Sequence, residues 1–195
     1  MSDPLLPTGD GHTELTEDDR VGLIPSHITT RGDLFAAEQL NIDRALRRRP
    51  PPIRRLLDDG HLRRLHRDMF GEVWEWAGRY RRRETNIGID PRQIQVSVRT
   101  LVDDAIAWVD NDTYQPDELA VRFHHRLVAI HPFPNGNGRH SRIAAEYLVM
   151  ALGRPRFAWG GGLDLNTEDV RAIYHRALQR ADAGEIDDLM AFARN

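Results

Sequence analysis

Apolar residues recur at three- and four-residue steps along much of the chain, with charged residues between them. In residues 60–76 the apolar positions are Leu62, Leu65, Met69, Val73 and Trp76, which share one face of a helix. Similar patterns, bounded by Pro, Gly, Asp or Asn, predict helices at 29–49, 53–57, 60–76, 101–111, 116–130, 137–152, 168–181 and 186–194. The chain is therefore predicted to be mainly α-helical.

One part of the chain alternates with a period of two instead. Apolar or β-branched residues occupy alternate positions of segments 83–89 and 93–98: Thr85, Ile87, Ile89, Ile94, Val96 and Val98. Asp90 and Pro91, which lie between the segments, are typical turn residues. This pattern predicts a single β-hairpin, so the expected fold class is a mainly α helical bundle with one hairpin.

The composition indicates one globular domain. The chain has 195 residues, of which 40% are hydrophobic, and we expect a domain at 20–195 after an acidic, flexible leader at 1–19. No apolar run approaches the ~20 residues that cross a bilayer, and the leader has neither the basic nor the apolar part of a secretory signal. The absence of cysteine excludes disulfides and thiolate chemistry, and it fits a cytoplasmic location.

The charge pattern limits the partners. All 27 basic residues are arginine, so a phosphate site in this chain would use guanidinium groups, which bind phosphate bidentately and stay charged. The net charge of −3 argues against a general nucleic-acid binder, whose surface is normally basic.

Reactive groups are concentrated in residues 131–142, with the sequence HPFPNGNGRHSR. The imidazole of His131 can accept a proton near neutral pH. Gly136 and Gly138 permit a close approach to the backbone, and the N–H groups at a helix start form a site for an anion. Arg139 and Arg142 are three residues apart, share a helix face and would hold adjacent phosphates.

These groups fit phosphoryl or nucleotidyl transfer, in which a base deprotonates an attacking hydroxyl and the cationic groups stabilise the developing charge. A glycine-rich turn with surface arginines is the simpler interpretation, but it explains the single residues better than their combination. His124, His125 and His140 lack the spacing of a helical zinc motif, so structural or surface roles are expected for them.

The stretch resembles the signature of the Fic family, H-P-F-x-[D/E]-G-N-G-R-x-x-R, from which it departs at Asn135. The resemblance extends through Trp76-Ala77-Gly78 and Tyr80-Arg81 and covers about residues 20–195. Gly22-Leu23-Ile24-Pro25 and the segment 27–32, His-Ile-Thr-Thr-Arg-Gly, are similar to the subgroup called mobile mystery protein B. The resemblance implies a Fic-like fold.

The resemblance also implies an activity, the transfer of AMP from ATP to a Ser, Thr or Tyr hydroxyl of a target protein. His131 would be the base, and the phosphates would be bound by Gly136, Asn137, Gly138, Arg139 and Arg142. The predicted hairpin would be the family's flap, with Thr85, Asn86, Ile87 and Gly88 as its site residues. A target segment would dock along the edge of this flap by β-augmentation.

Two positions bear on how active such a site would be. Asn135 replaces a family carboxylate that binds Mg²⁺, and a neutral amide oxygen is a poorer ligand for this hard cation, so weakened or indirect Mg²⁺ binding is expected. Glu38 is the nearest candidate for the family's inhibitory glutamate, which pairs with the last motif arginine. Leu34 and Gln39 depart from that motif, and a solvated helix face is the simpler interpretation of Glu38.

Other functions remain open at this point. The motif is compatible with the transfer of another phosphate-containing group, with the removal of AMP, or with a non-catalytic nucleotide-binding or interaction module. By loose resemblance Asn166 and Tyr174 would contact adenine, and Trp159 would line its pocket. The family's habits also suggest an antitoxin-like regulator, while a nucleic-acid partner and a membrane partner are not expected.

Overall fold

The computed structural model describes residues 21–47, 49–163, 165 and 167–195. Most of them are helical, and the helices are α1 (Arg31–Leu46), α2 (Ile53–Leu56), α3 (Asp59–Phe70), α4 (Ile94–Asp110), α5 (Pro116–Ile130), α6 (Asn137–Ala151), α7 (Thr167–Asp182) and α8 (Asp187–Arg194). The prediction of a mainly helical fold is confirmed. The predicted leader at 1–19 lies outside the described residues.

Local capping chemistry explains where several helices begin. The Thr30 side chain accepts a hydrogen bond from the Asp33 backbone N–H at 3.2 Å, and the Asp33 carboxylate accepts one from the Thr30 backbone, which together form a capping box. The Asp58 carboxylate caps α3 by accepting from His61 N–H at 2.8 Å. Pro116 opens α5 as predicted, since a first-turn residue needs no backbone donor.

The helix predicted at 60–76 is too long, because α3 ends at Phe70 and a series of turns follows. These turns pair with the segment before α1. Ile24 N–H donates to Val73 O at 2.9 Å, and Glu75 N–H donates to Gly22 O at 2.8 Å. Val73 still packs in the core, so its place in the apolar pattern reflects burial but not helical structure.

The predicted β-hairpin is wrong. Residues 94–98 form the first turns of α4, and none of residues 83–90 lies in a strand. Ile94, Val98, Leu101 and Ala105 are buried on one helix face, whereas Val96 is 68% exposed. An alternation of five residues is compatible with either period, and the longer helical pattern through Ala105 decides the structure.

The helix pair α5 and α6 lies at the centre of the fold. These two helices pack along each other, α4 packs against α5, α1 against α3, and α7 against α8. Leu119, Leu127 and Leu148 are almost fully buried between them, and each such side chain stabilises the fold by about 1.5–3 kcal/mol. The short connection between α5 and α6 therefore rests on a rigid support. No described helix has the length and apolar character needed to cross a membrane.

Candidate active site

The connection between α5 and α6, residues 131–136, is called the motif loop below. It begins with His131, which ends α5 in a left-handed conformation with φ 55° and ψ 59°. This conformation is uncommon for a residue other than glycine. It turns the chain sharply, and the His131 side chain is left only 6% exposed.

The surroundings of His131 define its protonation. Its Nδ1 lies 3.3 Å from the Val128 carbonyl oxygen, so Nδ1 carries the proton and Nε2 is the basic nitrogen of the neutral ring. Burial, with a smaller contribution from the nearby guanidinium of Arg81, lowers the pKa of His131 to about 4. The imidazole is therefore neutral, and able to accept a proton, at physiological pH.

The sequence predicts an anion site at the start of α6, where the chain turns sharply into the helix. Gly136 precedes the helix with φ +77°, and a Cβ at this position would lie 2.6 Å from the Phe70 ring, so only glycine fits. Asn137 fixes the turn, because its side chain accepts from Phe133 N–H at 2.9 Å and donates to Phe133 O at 2.8 Å. Asn137 thus contributes its backbone N–H to the site and its side chain to the loop.

Gly138 differs from Gly136. It lies in the first turn of α6 without a positive φ, and a Cβ at this position would meet no atom within 4 Å. Neither backbone strain nor packing requires glycine there. The open space lies beside the first N–H groups of α6, where the helix dipole favours negative charge. A side chain at this position would occupy that open space, which we call the open cradle.

The two motif arginines share a face of α6 but contact different neighbours. The Arg139 guanidinium lies over the Phe70 ring, 4.8 Å from its centroid, and donates to the Glu38 carboxylate at 2.8 Å. The Arg142 guanidinium lies 5.3 Å from the centroid of the Tyr174 ring. The Glu38 carboxylate therefore already neutralises the charge of Arg139. Arg142 has no carboxylate partner among the ion pairs of the described residues.

Glu38 is not on a solvated helix face, so that expectation is wrong. It is 7% exposed, and its second carboxylate oxygen accepts from Trp74 Nε1–H at 2.7 Å. The partner of Glu38 is Arg139, the first motif arginine, and not the last one as the family pattern implies. A buried carboxylate pinned by two donors competes directly with a phosphate for Arg139.

Asn135 does not provide a ligand set for a metal ion. Its side-chain oxygen accepts from Gly136 N–H at 2.6 Å, and its amide carries no charge. Within the described part of the chain, no group of three His, Asp or Glu side chains is arranged to hold a metal. The donor chemistry at this position therefore does not fit a Mg²⁺ ion held by the protein itself.

Sequence reasoning missed His66, which lies in α3. Its Nδ1 accepts from Gly78 N–H at 3.0 Å, so Nε2 carries the proton and donates to Asn135 O at 3.0 Å. The ring also stacks on Phe133 with centroids 3.8 Å apart, and burial keeps its pKa well below the usual value. A buried histidine on an apolar helix face was the available signal, but its partners are distant in sequence.

A second missed residue is Arg81, which is 3% exposed. Its guanidinium donates to four backbone carbonyls: His131 O at 2.7 Å, Arg83 O at 3.0 Å, Ile130 O at 3.4 Å, and Ile89 O. It thereby joins the end of α5 to residues 82–90, which we call the flap loop.

The flap loop brings Gly88, one of the four predicted flap residues, next to His131 without forming a strand. Gly88 has φ +104°, and a Cβ there would lie 2.5 Å from His131 Cβ and 3.1 Å from Ile130 O. Thr85 stabilises the loop by donating from its hydroxyl to Ile87 O at 2.6 Å. Asn86 is exposed. Gly88 is therefore the point where the flap loop touches the candidate base.

The remaining candidates have mixed outcomes. Asn166 lies outside the described residues. Tyr174 is buried, and its hydroxyl lies 3.1 Å from His124 Nε2. This contact fixes the Tyr174 ring, against which the Arg142 guanidinium packs. His124 and His140 are completely buried, and burial lowers their pKa values to about 3 and about 4. His125 lies 2.7 Å from an Asp182 carboxylate oxygen.

The fold and the loop together define a helical domain in which a buried neutral histidine and a tight turn join two central helices. Residues 56–149 match the model of the Fic/DOC family. Over these residues, which include the motif at 131–142, the chain is similar to that family.

Curated relatives match about two thirds of this chain. The protein adenylyltransferase Fic of Drosophila melanogaster is 30% identical over 134 residues, which are 66% of this chain and 25% of that protein. The protein adenylyltransferase fic-1 of Caenorhabditis elegans is 29% identical over 138 residues, which are 67% of this chain and 24% of that protein. The chain thus spans about a quarter of the length of these relatives.

Solved structures support the fold. The BepC protein of Bartonella tribocorum, with bound AMPPNP, has a TM-score of 0.66 at 19% identity. The match covers 86% of this chain and 87% of the BepC chain. The Fic-1 protein of Caenorhabditis elegans has a TM-score of 0.59 at 24% identity and covers 80% of this chain and 46% of its own. The predicted Fic-like helical fold is confirmed.

Proposed function

We propose that this chain is a nucleotidyltransferase of the Fic type that transfers AMP from ATP to a Ser, Thr or Tyr hydroxyl of a target protein. One observation carries the proposal: a neutral, buried His131 ends α5 beside the open cradle at Gly138, where α6 begins. A base and an anion site are thus held on one short loop. The relatives named protein adenylyltransferase support the choice of AMP.

In the proposed reaction the hydroxyl oxygen attacks the α-phosphorus of ATP. The bond from the α-phosphorus to the oxygen bridging to the β-phosphate breaks, and pyrophosphate leaves. The hydroxyl proton passes to Nε2 of His131, whose Nδ1–H stays on Val128 O. The N–H groups of Asn137 and Gly138 and the guanidinium of Arg142 would stabilise the phosphates.

The metal contribution follows the donor set at Asn135. Mg²⁺ supplies charge neutralisation to phosphates when it is bound, and here we expect the nucleotide's own oxygens and water to hold it, since Asn135 offers no carboxylate. The rest of the charge falls on this chain's arginines. This distribution predicts a weak dependence of nucleotide binding on Mg²⁺.

We also propose that Glu38 restrains the site. Arg139 can bind a phosphate only after its ion pair with the Glu38 carboxylate is broken. Glu38→Gln keeps an acceptor for Trp74 but removes the charge, so it should tighten ATP binding and increase transfer. Glu72→Gln is the matched control, because Glu72 forms an exposed pair with Arg44 on the same helix bundle. Equal ATP binding in the Glu38 and Glu72 variants would remove Glu38 from regulation.

The test of the activity uses ATP labelled in the α-phosphate, with the protein alone and with a cell lysate. Label should appear on protein, and His131→Ala should abolish it while ATP binding persists. Gly138→Ala should instead lose ATP binding, because the new Cβ enters the open cradle. Gly32→Ala is the control, since this helical glycine also has room for a Cβ, 3.7 Å from Thr30 Oγ1. ATP binding without transfer in any condition would favour a non-catalytic nucleotide-binding module.

Intact-mass analysis of the target separates the alternatives, because removal of AMP lowers the mass of a modified target and transfer of another phosphate-containing group adds a different mass. Membership of the mobile mystery protein B subgroup and a cytoplasmic location stay predictions from the sequence. An antitoxin-like regulator is a proposal of the same kind, and it would be detected as a protein that lowers transfer by the native chain more strongly than transfer by Glu38→Gln.

A further inference from the structure

A basic cleft lies beside the flap loop, outside the phosphate-binding groups. It has a volume of about 960 Å³. The turns after α3, the residues at the two ends of the flap loop and the start of α4 border it. Six arginines line it: Arg63, Arg79, Arg81, Arg82, Arg83 and Arg92. We call it the arginine cleft. Asp59 is the only acidic residue among its described lining residues.

Some of these charges already have partners. The Arg81 guanidinium is engaged with backbone carbonyls. Arg92 pairs with Asp90 at 2.6 Å, and Arg63 donates to Gly78 O at 3.1 Å. Asp59 accepts a hydrogen bond from the Tyr80 hydroxyl. Backbone carbonyls and a phenol do not neutralise charge, so the lining keeps a clear positive excess.

Arg79 and Arg82 complete this picture. Both are exposed, and within the described part of the chain neither has a carboxylate within ion-pair distance. Two unpaired guanidinium groups at the edge of a cleft cost little to reorient toward an anion. Trp76, Tyr80 and Ile94 add apolar and aromatic surface, so the cleft can accommodate aliphatic chain as well as charge.

The position of the cleft connects it with the proposed reaction. Pro134 lines it, and Pro134 is three residues from His131 in the motif loop. Three residues separate Cα atoms by at most about 11 Å, which an extended peptide spans in about three to four residues. A target chain whose hydroxyl lies at His131 would therefore reach the cleft within a few residues.

Resting on the proposed function, we propose that the arginine cleft binds an acidic segment of the target protein, about three or more residues from the modified hydroxyl. The cleft provides charge complementarity for Asp and Glu side chains, and guanidinium forks bind carboxylates bidentately. The site thereby selects hydroxyls in an acidic sequence context.

A nucleic acid is the competing ligand, and the charge distribution disfavours it. Phosphate backbones need an extended basic surface, whereas this chain has a net charge of −3 and the cleft is flanked by Glu84 and Asp90. A compact cleft with aromatic walls suits a short acidic peptide segment better.

Binding is tested without ATP, so that it does not depend on catalysis. Two labelled peptides share one central serine in a neutral sequence, followed by four Asp and Glu residues in one peptide and by the matching Asn and Gln residues in the other. Anisotropy at low salt should show at least about tenfold tighter binding of the acidic peptide. Arg79→Gln with Arg82→Gln should reduce this preference at least about fivefold.

The control removes the same charge elsewhere. Arg47→Gln with Arg176→Gln alters exposed arginines of the α1 end and of α7, which do not line the cleft, and it should change binding less than about twofold. Equal weakening by both double variants, or no preference for the acidic peptide, would overturn the cleft assignment. So would tighter, cleft-dependent binding of a single-stranded oligonucleotide of equal charge.

Transfer separates this inference from the activity itself. If transfer occurs, the cleft variant should raise KM for the acidic peptide and leave kcat nearly unchanged. Cleft-dependent binding in a protein that never labels any target would retain the cleft and reject the transferase proposal. Equal labelling of targets with and without acidic residues near the hydroxyl would retain the transferase proposal and reject the cleft assignment.

Discussion

The motif loop and the flap loop meet at His131, yet they are held in opposite ways. Several independent groups fix the motif loop: Asn137 bridges Phe133, His66 binds Asn135 O, and the Phe70 ring closes the space over Gly136. The flap loop has no strand among its residues. Arg81 hydrogen bonds, the Ile89 N–H bond to Ile130 O at 3.4 Å and the contact at Gly88 connect it to the end of α5.

This difference separates two tasks. The proposed base and anion site need fixed positions, because small displacements of reacting groups cost large factors in rate. A surface that receives different target segments benefits from adaptable backbone. Under the proposed function, the base and the phosphate contacts lie at the firmly held motif loop, and the target contacts fall to the flap loop.

The largest expected change comes from acid, which acts on three buried histidines: His131 in the motif loop, His124 in α5 and His140 in α6. Burial lowers the pKa values of His124, His131 and His140 to between about 3 and about 4, against about 6.5 in the unfolded chain. Below pH 6.5 the unfolded state therefore binds more protons than the folded state. The stability present in full above that pH is lost as the pH falls toward 4, by about 1.4 kcal/mol per pH unit for each histidine.

Urea unfolding at pH 7.5, 6 and 5 measures this loss. The flap loop contains no histidine, and hydrogen exchange should therefore show acid opening the motif loop first. Transfer should not decline merely through protonation of His131 above about pH 4. A free energy of unfolding that stays constant from pH 7.5 to 5 would contradict the prediction.

The next change removes one support of the motif loop. Asn137→Ala leaves the Phe133 N–H and carbonyl without partners at a buried position, which should lower the free energy of unfolding by roughly 2–5 kcal/mol. Asn111→Ala is the matched control, because the exposed Asn111 makes one bond to Ala107 O. Denaturant curves compare the two, and similar losses would show that Asn137 is not special to the loop.

The same contrast explains what sequence reasoning found. The motif at 131–142 carries its chemistry in consecutive residues, so His131, the glycines and both arginines were identified without tertiary information. Helix α5 was predicted with its observed bounds because Pro116 and Pro132 limit it locally. Local signals sufficed wherever the determinants were neighbours in sequence.

The failures share the opposite cause. The flap was predicted as a hairpin, because the alternation at Ile94 and Val96 was short and the packing of α4 is a tertiary property. His66 and Arg81 act on residues about 50 or more positions away. Glu38 was interpreted as solvated, because its partners Trp74 and Arg139 are distant from it in sequence.

Releasing the flap loop should have a smaller effect on stability than Asn137→Ala but a large one on transfer. Arg81→Met keeps the length of the side chain and removes its donors, at a cost of about 1.5–3 kcal/mol. Exchange of amides at 83–90 should accelerate and transfer to protein should fall at least about tenfold, while ATP binding changes less than about twofold. These effects identify Arg81 as a positioning residue for the flap loop and His131.

The control for Arg81 is its exposed neighbour. Arg82→Met removes the same charge without touching a backbone carbonyl, and its flap exchange and stability should match the native chain. Arg81→Lys keeps the charge but cannot reach four carbonyls at once, so it should recover part of the transfer. If Arg82→Met accelerates flap exchange as much as Arg81→Met does, the charge of this region holds the loop, and the specific contacts of Arg81 do not.

The smallest structural change tests position 135, where the motif loop departs from the Fic signature. Asn135→Asp is nearly isosteric, and the bond from His66 uses the backbone carbonyl of Asn135, so the loop should keep its shape and its stability within about 0.5 kcal/mol. The new carboxylate offers a charged ligand to Mg²⁺ beside the phosphates. Transfer should rise several-fold with Mg²⁺ and not in EDTA, whereas Asn111→Asp should leave transfer unchanged in both conditions. If turnover and metal response stay the same, position 135 does not limit the site, and the arginines carry the phosphate charge without help from the loop.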